Sequence, residues 1–233
     1  MKYFAIGAHP DDIEILCAGT LAKLKDAGHT IAMASLCNGD KGHFLIPSKE
    51  LAEIRKKEAE ASAAILGAEI HVGLFDDLGI YVDRPSVEKV VDLIRLVKPD
   101  VIITNAPNDY MMDHVNTSKI VIEASFVATL PNYKTSLPPH TSIVPIFFMD
   151  ALAGINTQPT EYVDISDKIK IKEEMLLCHQ SQYKWLKEHD GVDYVELMKS
   201  LSRYRGIQCG VEYAEGFTQY TVWGRIKPVR LLP

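Results

Sequence analysis

The stretch Lys2 to Leu24, KYFAIGAHPDDIEILCAGTLAKL, constrains the fold more than any other part of the chain. An apolar run from Tyr3 to Ala8 enters a tight polar cluster, His9, Pro10, Asp11 and Asp12, and an apolar-periodic helix is expected from about Ile15. Strand, turn and helix in that order open a Rossmann-like sheet. A dinucleotide site would place glycines in this turn, so that the backbone could approach a pyrophosphate. Two carboxylates and an imidazole stand there instead. Carboxylates repel phosphate, whereas His and Asp are suitable ligands for a divalent metal.

The pattern repeats along the chain. Strands are expected at Thr30 to Cys37, Glu69 to Phe75 and Val101 to Asn105, alternating with helices at Ser48 to Leu66, Pro85 to Lys98 and His114 to Ala128. Such alternation predicts an α/β fold: a mainly parallel, Rossmann-like sheet with helices on both faces. In the doubly wound order the first and fourth strands are neighbours whose connections diverge, so a crevice opens at their carboxyl ends. The metal site is expected at that carboxyl edge. Leu130 to His140, rich in Pro, Ser and Thr, reads as a long loop or lid. Further on, strands are expected at Ile143 to Asp150 and Glu161 to Asp164, and helices at Ile165 to His179 and near Val192 to Arg203. The aromatic, glycine-punctuated stretch Gly206 to Trp223 has no clear assignment. No repeat or linker divides the sequence, so residues 1–233 are read as one domain.

Composition narrows the function classes. A formal net charge of −6 argues against a general nucleic-acid or anionic-membrane surface. No basic segment followed by an apolar stretch opens the sequence and no apolar run is long enough to cross a bilayer, so a cytoplasmic enzyme is expected. Cys17, Cys37, Cys178 and Cys209 form no CxxC pair, and read as thiols in a reducing compartment.

His9 and Asp12 lie three apart across a helix start, which lets both side chains turn toward one point. His114, from the loop after the fourth strand, could reach that point from the other side of the crevice. Three ligands of this kind leave a coordination position open, the pattern of a catalytic zinc. Asp11 would then be a free carboxylate beside the metal, able to accept a proton from bound water. Asp113 is a candidate acceptor for an imidazole N–H. Taken singly, each has an ordinary alternative: a pair of aspartates commonly opens a solvated helix, and a lone histidine is commonly structural.

Recognition adds to this. AHPDDIE followed by CAGTLAKL resembles the N-terminal signature of the LmbE/PIG-L family of zinc-dependent N-deacetylases, which act mostly on N-acetylglucosamine-containing substrates. LCNGDKGH, RKKEAEASAAILGA, NDYMMDH, KEEMLLCHQSQ and YRGIQCGVEYAEGF resemble further family segments in the expected order. The resemblance implies zinc, or another divalent metal, on His9, Asp12 and His114, with Asp11 as general base. It also implies that Arg55 reaches a substrate oxygen, that the Asn38 to Gly42 loop shapes the pocket, and that an amino-sugar substrate meets an assembly of identical subunits. Without it, Arg55 would be assigned to a surface pair with Glu58, and Asn38 to turn chemistry.

One position departs from the family. Met111 stands where a histidine commonly sits, and a thioether carries no proton and no charge. Losing such a transition-state stabiliser costs on the order of 10²-fold in rate. Tyr110 could donate a hydrogen bond in its place; His43, His140 and His179 are weaker candidates, each read first as structural. A hydrolase of another small amide, or a catalytically impaired metal- or sugar-binding relative, are the alternatives this departure leaves. The tail aromatics Tyr204, Tyr213, Phe217, Tyr220 and Trp223 are read mostly as core, and Glu215 has no derivable role.

Overall fold

A computed structural model describes residues 1–233. Strands β1 (Lys2–Gly7), β2 (Thr30–Cys37), β3 (Glu69–Phe75), β4 (Val101–Thr104), β5 (Ile146–Met149), β6 (Glu161–Asp164) and β7 (Ala214–Gln219) form a single sheet in the order β3-β2-β1-β4-β5-β7-β6. The first five of that order run parallel, and β7 is antiparallel to both its neighbours. Alternation along β1 shows why the sheet is covered twice. Tyr3 and Ala5 enter one hydrophobic core while Phe4 and Ile6 enter the other. Helices α1 (Asp12–Leu16), α2 (Ala18–Asp26), α3 (Ser48–Ile65), α4 (Arg84–Val97), α5 (Met112–Val127), α6 (Ile169–Leu177), α7 (Gln180–Trp185) and α8 (Tyr194–Cys209) supply the covering layers. This is the α/β, Rossmann-like arrangement expected.

Several boundaries differ for physical reasons. The first helix begins at Asp12 rather than Ile15, breaks at Cys17 and restarts as α2. The restart is capped from a distance: Gly19 and Thr20 donate their N–H groups to Glu215 at 2.9 and 2.7 Å. A carboxylate placed on a helix N-terminus satisfies amides the helix itself leaves orphaned. Glu215 lies on β7, within the stretch that resisted assignment. Its sequence, AEGFTQ, hides a strand because a buried glutamate and a glycine interrupt the usual apolar pattern.

The Leu130 to His140 segment is a loop but not a lid. Arg95 donates to the carbonyls of Leu130 and Leu137, and His140 contacts the Pro99 carbonyl at 2.9 Å, which pins the segment at the amino edge of the sheet. The crevice lies at the other edge. Among the tail aromatics Phe217 is core and Tyr213 and Tyr220 pack against it, whereas Tyr204 and Trp223 are exposed. No helix is long and apolar enough to cross a membrane.

Candidate metal centre and its cavity

The ends of β1 and β4 are stitched together by one carboxylate. Asp12 Oδ2 accepts from the N–H groups of Ala8 (2.9 Å) and His9 (3.0 Å) and from Asn105 Nδ2 (3.2 Å). With Oδ2 saturated, Oδ1 is left to face the crevice, 3.3 Å from His114 Nε2. His114 sits in the first turn of α5, and His9 Nδ1 lies 3.3 Å from the same Nε2. Ligand atoms of His9, Asp12 and His114 all fall within 4.8 Å of one another, and all three residues are buried.

This donor set fits a divalent ion. Ligand atoms at the corners of a tetrahedron with metal bonds of about 2.0–2.1 Å stand about 3.3 Å apart. The outward nitrogens are backed by carboxylates, as ligating histidines require. Asp113 Oδ2 is 3.2 Å from His9 Nε2 and also accepts the Leu78 N–H at 2.8 Å. Asp109 Oδ2 is 3.0 Å from His114 Nδ1, yet the two are misaligned and neither has a true hydrogen bond. Burial alone would lower the His114 pKa, but the Asp12 and Asp109 carboxylates override it and push it up to about 10. Burial would conversely raise Asp12, and His114 and His9 hold it well below the carboxylate range.

Asp11 stands beside these ligands in a conformation few non-glycine residues adopt, with φ 119° and ψ −23°. Strain of this kind costs about 1–3 kcal/mol and collects at functional positions. Burial pushes its carboxyl up to about 6, against the opposing pull of Arg55 and His179. Arg55 Nη2 donates to Asp11 Oδ2 at 3.1 Å and to the Pro10 carbonyl, and Nη1 reaches the Gly39 carbonyl only loosely at 3.4 Å. Gly39 is required there, since a Cβ would stand 2.5 Å from Arg55 Cδ. Arg55 is thus a buried partner of Asp11 rather than a surface partner of Glu58. Glu58 instead accepts from the Ser181 N–H and hydroxyl.

These groups line a cavity of about 330 Å³. Tyr110 stands at its mouth, 73% exposed, and Met111 lines it. Asn38 does not enter: its Nδ2 donates to Asp76 Oδ1 at 2.7 Å, the turn role of the simpler reading, and the loop reaches the cavity through Lys41 and Gly42. Asp77, which sequence reasoning did not single out, fixes that loop by accepting from the Gly39 and Lys41 N–H groups. Asp109 was missed as well; both aspartates sit in polar turns directly after strand ends, where ligand-supporting carboxylates tend to lie. None of His43, His140 or His179 lines the cavity, so none occupies the place that Met111 leaves. His179 is buried near Glu14, 3.3 Å from Oε1. A larger hollow of about 530 Å³ lies beyond Asn108 and Asp150 and contains neither histidine nor cysteine.

Known proteins share this arrangement of elements. Residues 4–125 match the PIG-L family, described as GlcNAc-PI de-N-acetylase. The chain is 30% identical over 226 residues to a diacetylchitobiose deacetylase of Thermococcus kodakarensis, a match that spans 92% of this chain and 81% of the relative. The solved N,N'-diacetylchitobiose deacetylase from Pyrococcus horikoshii superposes with a TM-score of 0.82 at 27% identity, over 94% of this chain and 83% of that one. A 4-carboxy-2-hydroxymuconate hydratase from Pseudomonas putida has the same fold, with a TM-score of 0.81 at 22% identity over 99% of this chain and all of that one (100%). With most of β1, all of β2, β3 and β4, and His9, Asp12 and His114 inside the matched segment, the chain belongs to the PIG-L family of deacetylases.

Proposed function

We propose that this chain, read as one catalytic domain over residues 1–233, is a zinc-dependent hydrolase that removes the acetyl group from an N-acetylglucosamine-type sugar or conjugate. The observation that carries the proposal is the convergence of His9, Asp12 and His114 on one point, with the strained, non-ligating carboxylate of Asp11 beside it. A zinc ion held there would polarise the amide carbonyl and acidify a bound water. Asp11 takes the water's proton and delivers it to the departing amine. Arg55 orients Asp11 through Nη2 and keeps Nη1, bound only loosely to Gly39, for a substrate oxygen. Tyr110 OH is one donor available to the tetrahedral oxyanion in the cavity that Met111 lines. The cytoplasmic setting and the assembly of identical subunits belong to the same reading.

The test is acetate release from a panel of N-acetylglucosamine conjugates by zinc-loaded protein, with Asp11→Asn as control. Release is expected to fall about 10²- to 10⁴-fold in the variant, the usual contribution of a general base. No release from protein shown to hold its zinc would move the assignment to another amide. Turnover equal in the two proteins would remove Asp11 from the mechanism.

A further inference from the structure

The cavity that gathers the candidate metal ligands carries more hydrocarbon than the deacetylation chemistry requires. Beside those ligands and the polar Lys41, Asp77 and Gln182, its lining includes Leu78, Tyr110, Met111, Leu152, Trp185 and Leu186. Part of this apolar lining is open to solvent, Leu78 being 69% exposed and Tyr110 73%. Phe44 extends it, its ring 5.3 Å from that of Trp185. Leu78 is held outward by its own backbone, with φ +63° and its N–H donated to Asp113. Apolar side chains gathered at the mouth of a polar cavity mark a surface built to be covered by a ligand. Met111 belongs to this wall, so the position where a histidine was expected contributes hydrocarbon instead.

We infer that the substrate is an amphiphile: its amide lies among the acidic and histidine side chains, and an apolar group attached close to that amide lies against the wall of Leu78, Met111, Trp185 and Leu186. This rests on the deacetylase reading and narrows its substrate class. Hydrocarbon next to the amide can come from two sources, an alkyl or aryl aglycone on the sugar or an acyl group longer than acetyl on the nitrogen.

The experiment is a ligand series on zinc-loaded Asp11→Asn protein carrying Trp223→Phe. Trp223 is exposed and does not line the cavity, and with two tryptophans in the chain this leaves Trp185 as the single indole reporter. One arm lengthens the aglycone of alkyl N-acetylglucosaminides from methyl to hexyl; the other lengthens the N-acyl group of methyl glucosaminide. Each buried methylene strengthens binding about fourfold. One arm is expected to climb at about that rate over its first carbons, and the climbing arm identifies the source. Leu186→Asn, and independently Leu78→Asn at a backbone conformation asparagine tolerates, should flatten the climb. Affinity that stays level along both arms overturns the inference, as does a climb that neither wall variant reduces. Acetate release by the native protein is scored separately, so a failed deacetylase reading and a failed wall are distinguishable.

Discussion

Two buried charged clusters lie on the same sheet and are built on opposite terms. At β7, Glu215 accepts from Gly19, Thr20 and Lys172, and Lys172 is as deeply buried as its partner. Both oxygens of Glu215 are engaged and no residue of this cluster is strained, the Thr20 hydroxyl being its one buried group without a partner. At the ends of β1 and β4, two histidine nitrogens face each other at 3.3 Å, Asp109 and His114 lie close without an aligned bond, and Asp11 adopts a left-handed conformation. Burial makes unsaturated polar groups costly, so such an arrangement persists where something else completes it. The first cluster holds β7 to α2 and α6; the second is where the proposed ion would sit.

The contrast is broken most directly at His114. His114→Ala should abolish zinc retention and with it the metal-dependent rise in thermal stability, about 4 kcal/mol where zinc stands at a thousand times its dissociation constant. Metal analysis and thermal unfolding with and without a chelator read both effects. The pH dependence has opposite signs in the two forms. Without metal, the pKa pushed up to about 10 contributes stability that is full below the ordinary imidazole value and is lost as pH climbs toward 10. Ligation needs the neutral ring, so zinc uptake expels that proton and affinity rises with pH. A variant that binds zinc as tightly as the native chain would put the ion elsewhere.

Lys172→Met tests the other cluster. Removing one partner of a buried pair leaves an uncompensated charge, and the expected loss is about 3–5 kcal/mol of folding stability. Zinc stoichiometry, measured at a temperature where the variant is folded, should stay native. Loss of zinc together with stability would mean that the two clusters are not independent.

How far each cluster was legible in the sequence follows from the same difference. His9, Asp11, Asp12 and His114 could be read because they sit at strand ends within an alternating pattern that fixes where strand ends meet. Glu215 could not, because its partners, Gly19, Thr20 and Lys172, are held to it only by the placement of β7, an antiparallel strand without the usual apolar signature. The break at Cys17 was hidden for the same reason, since its cause lies almost two hundred residues further along the chain. Arg55 illustrates a third case: helical spacing offered Glu58, and tertiary packing supplied Asp11.

Asp113 sharpens the comparison with the smallest effect, because it belongs geometrically to both kinds. Its Oδ2 accepts from the Leu78 N–H, a structural bond, and lies 3.2 Å from His9 Nε2. Burial would raise its pKa, but His9 and the Leu78 N–H outweigh it and hold the group ionised. In Asp113→Asn the carboxamide oxygen can take the place of Oδ2 and accept from both groups, but without the negative charge that strengthens the imidazole as a ligand. The neutral acceptor still holds the His9 proton on Nε2 and leaves Nδ1, the nitrogen that points at His114, bare for the metal, but it no longer raises the ring's basicity. Zinc affinity is then expected to fall about 10- to 100-fold, the usual effect of losing a carboxylate behind a ligating histidine, while the unfolding midpoint of the metal-free protein hardly moves. Competition with a chelating dye measures the first and thermal unfolding the second. Unchanged affinity with a lowered midpoint would give the reverse assignment, placing Asp113 with Glu215 among the carboxylates that hold the fold.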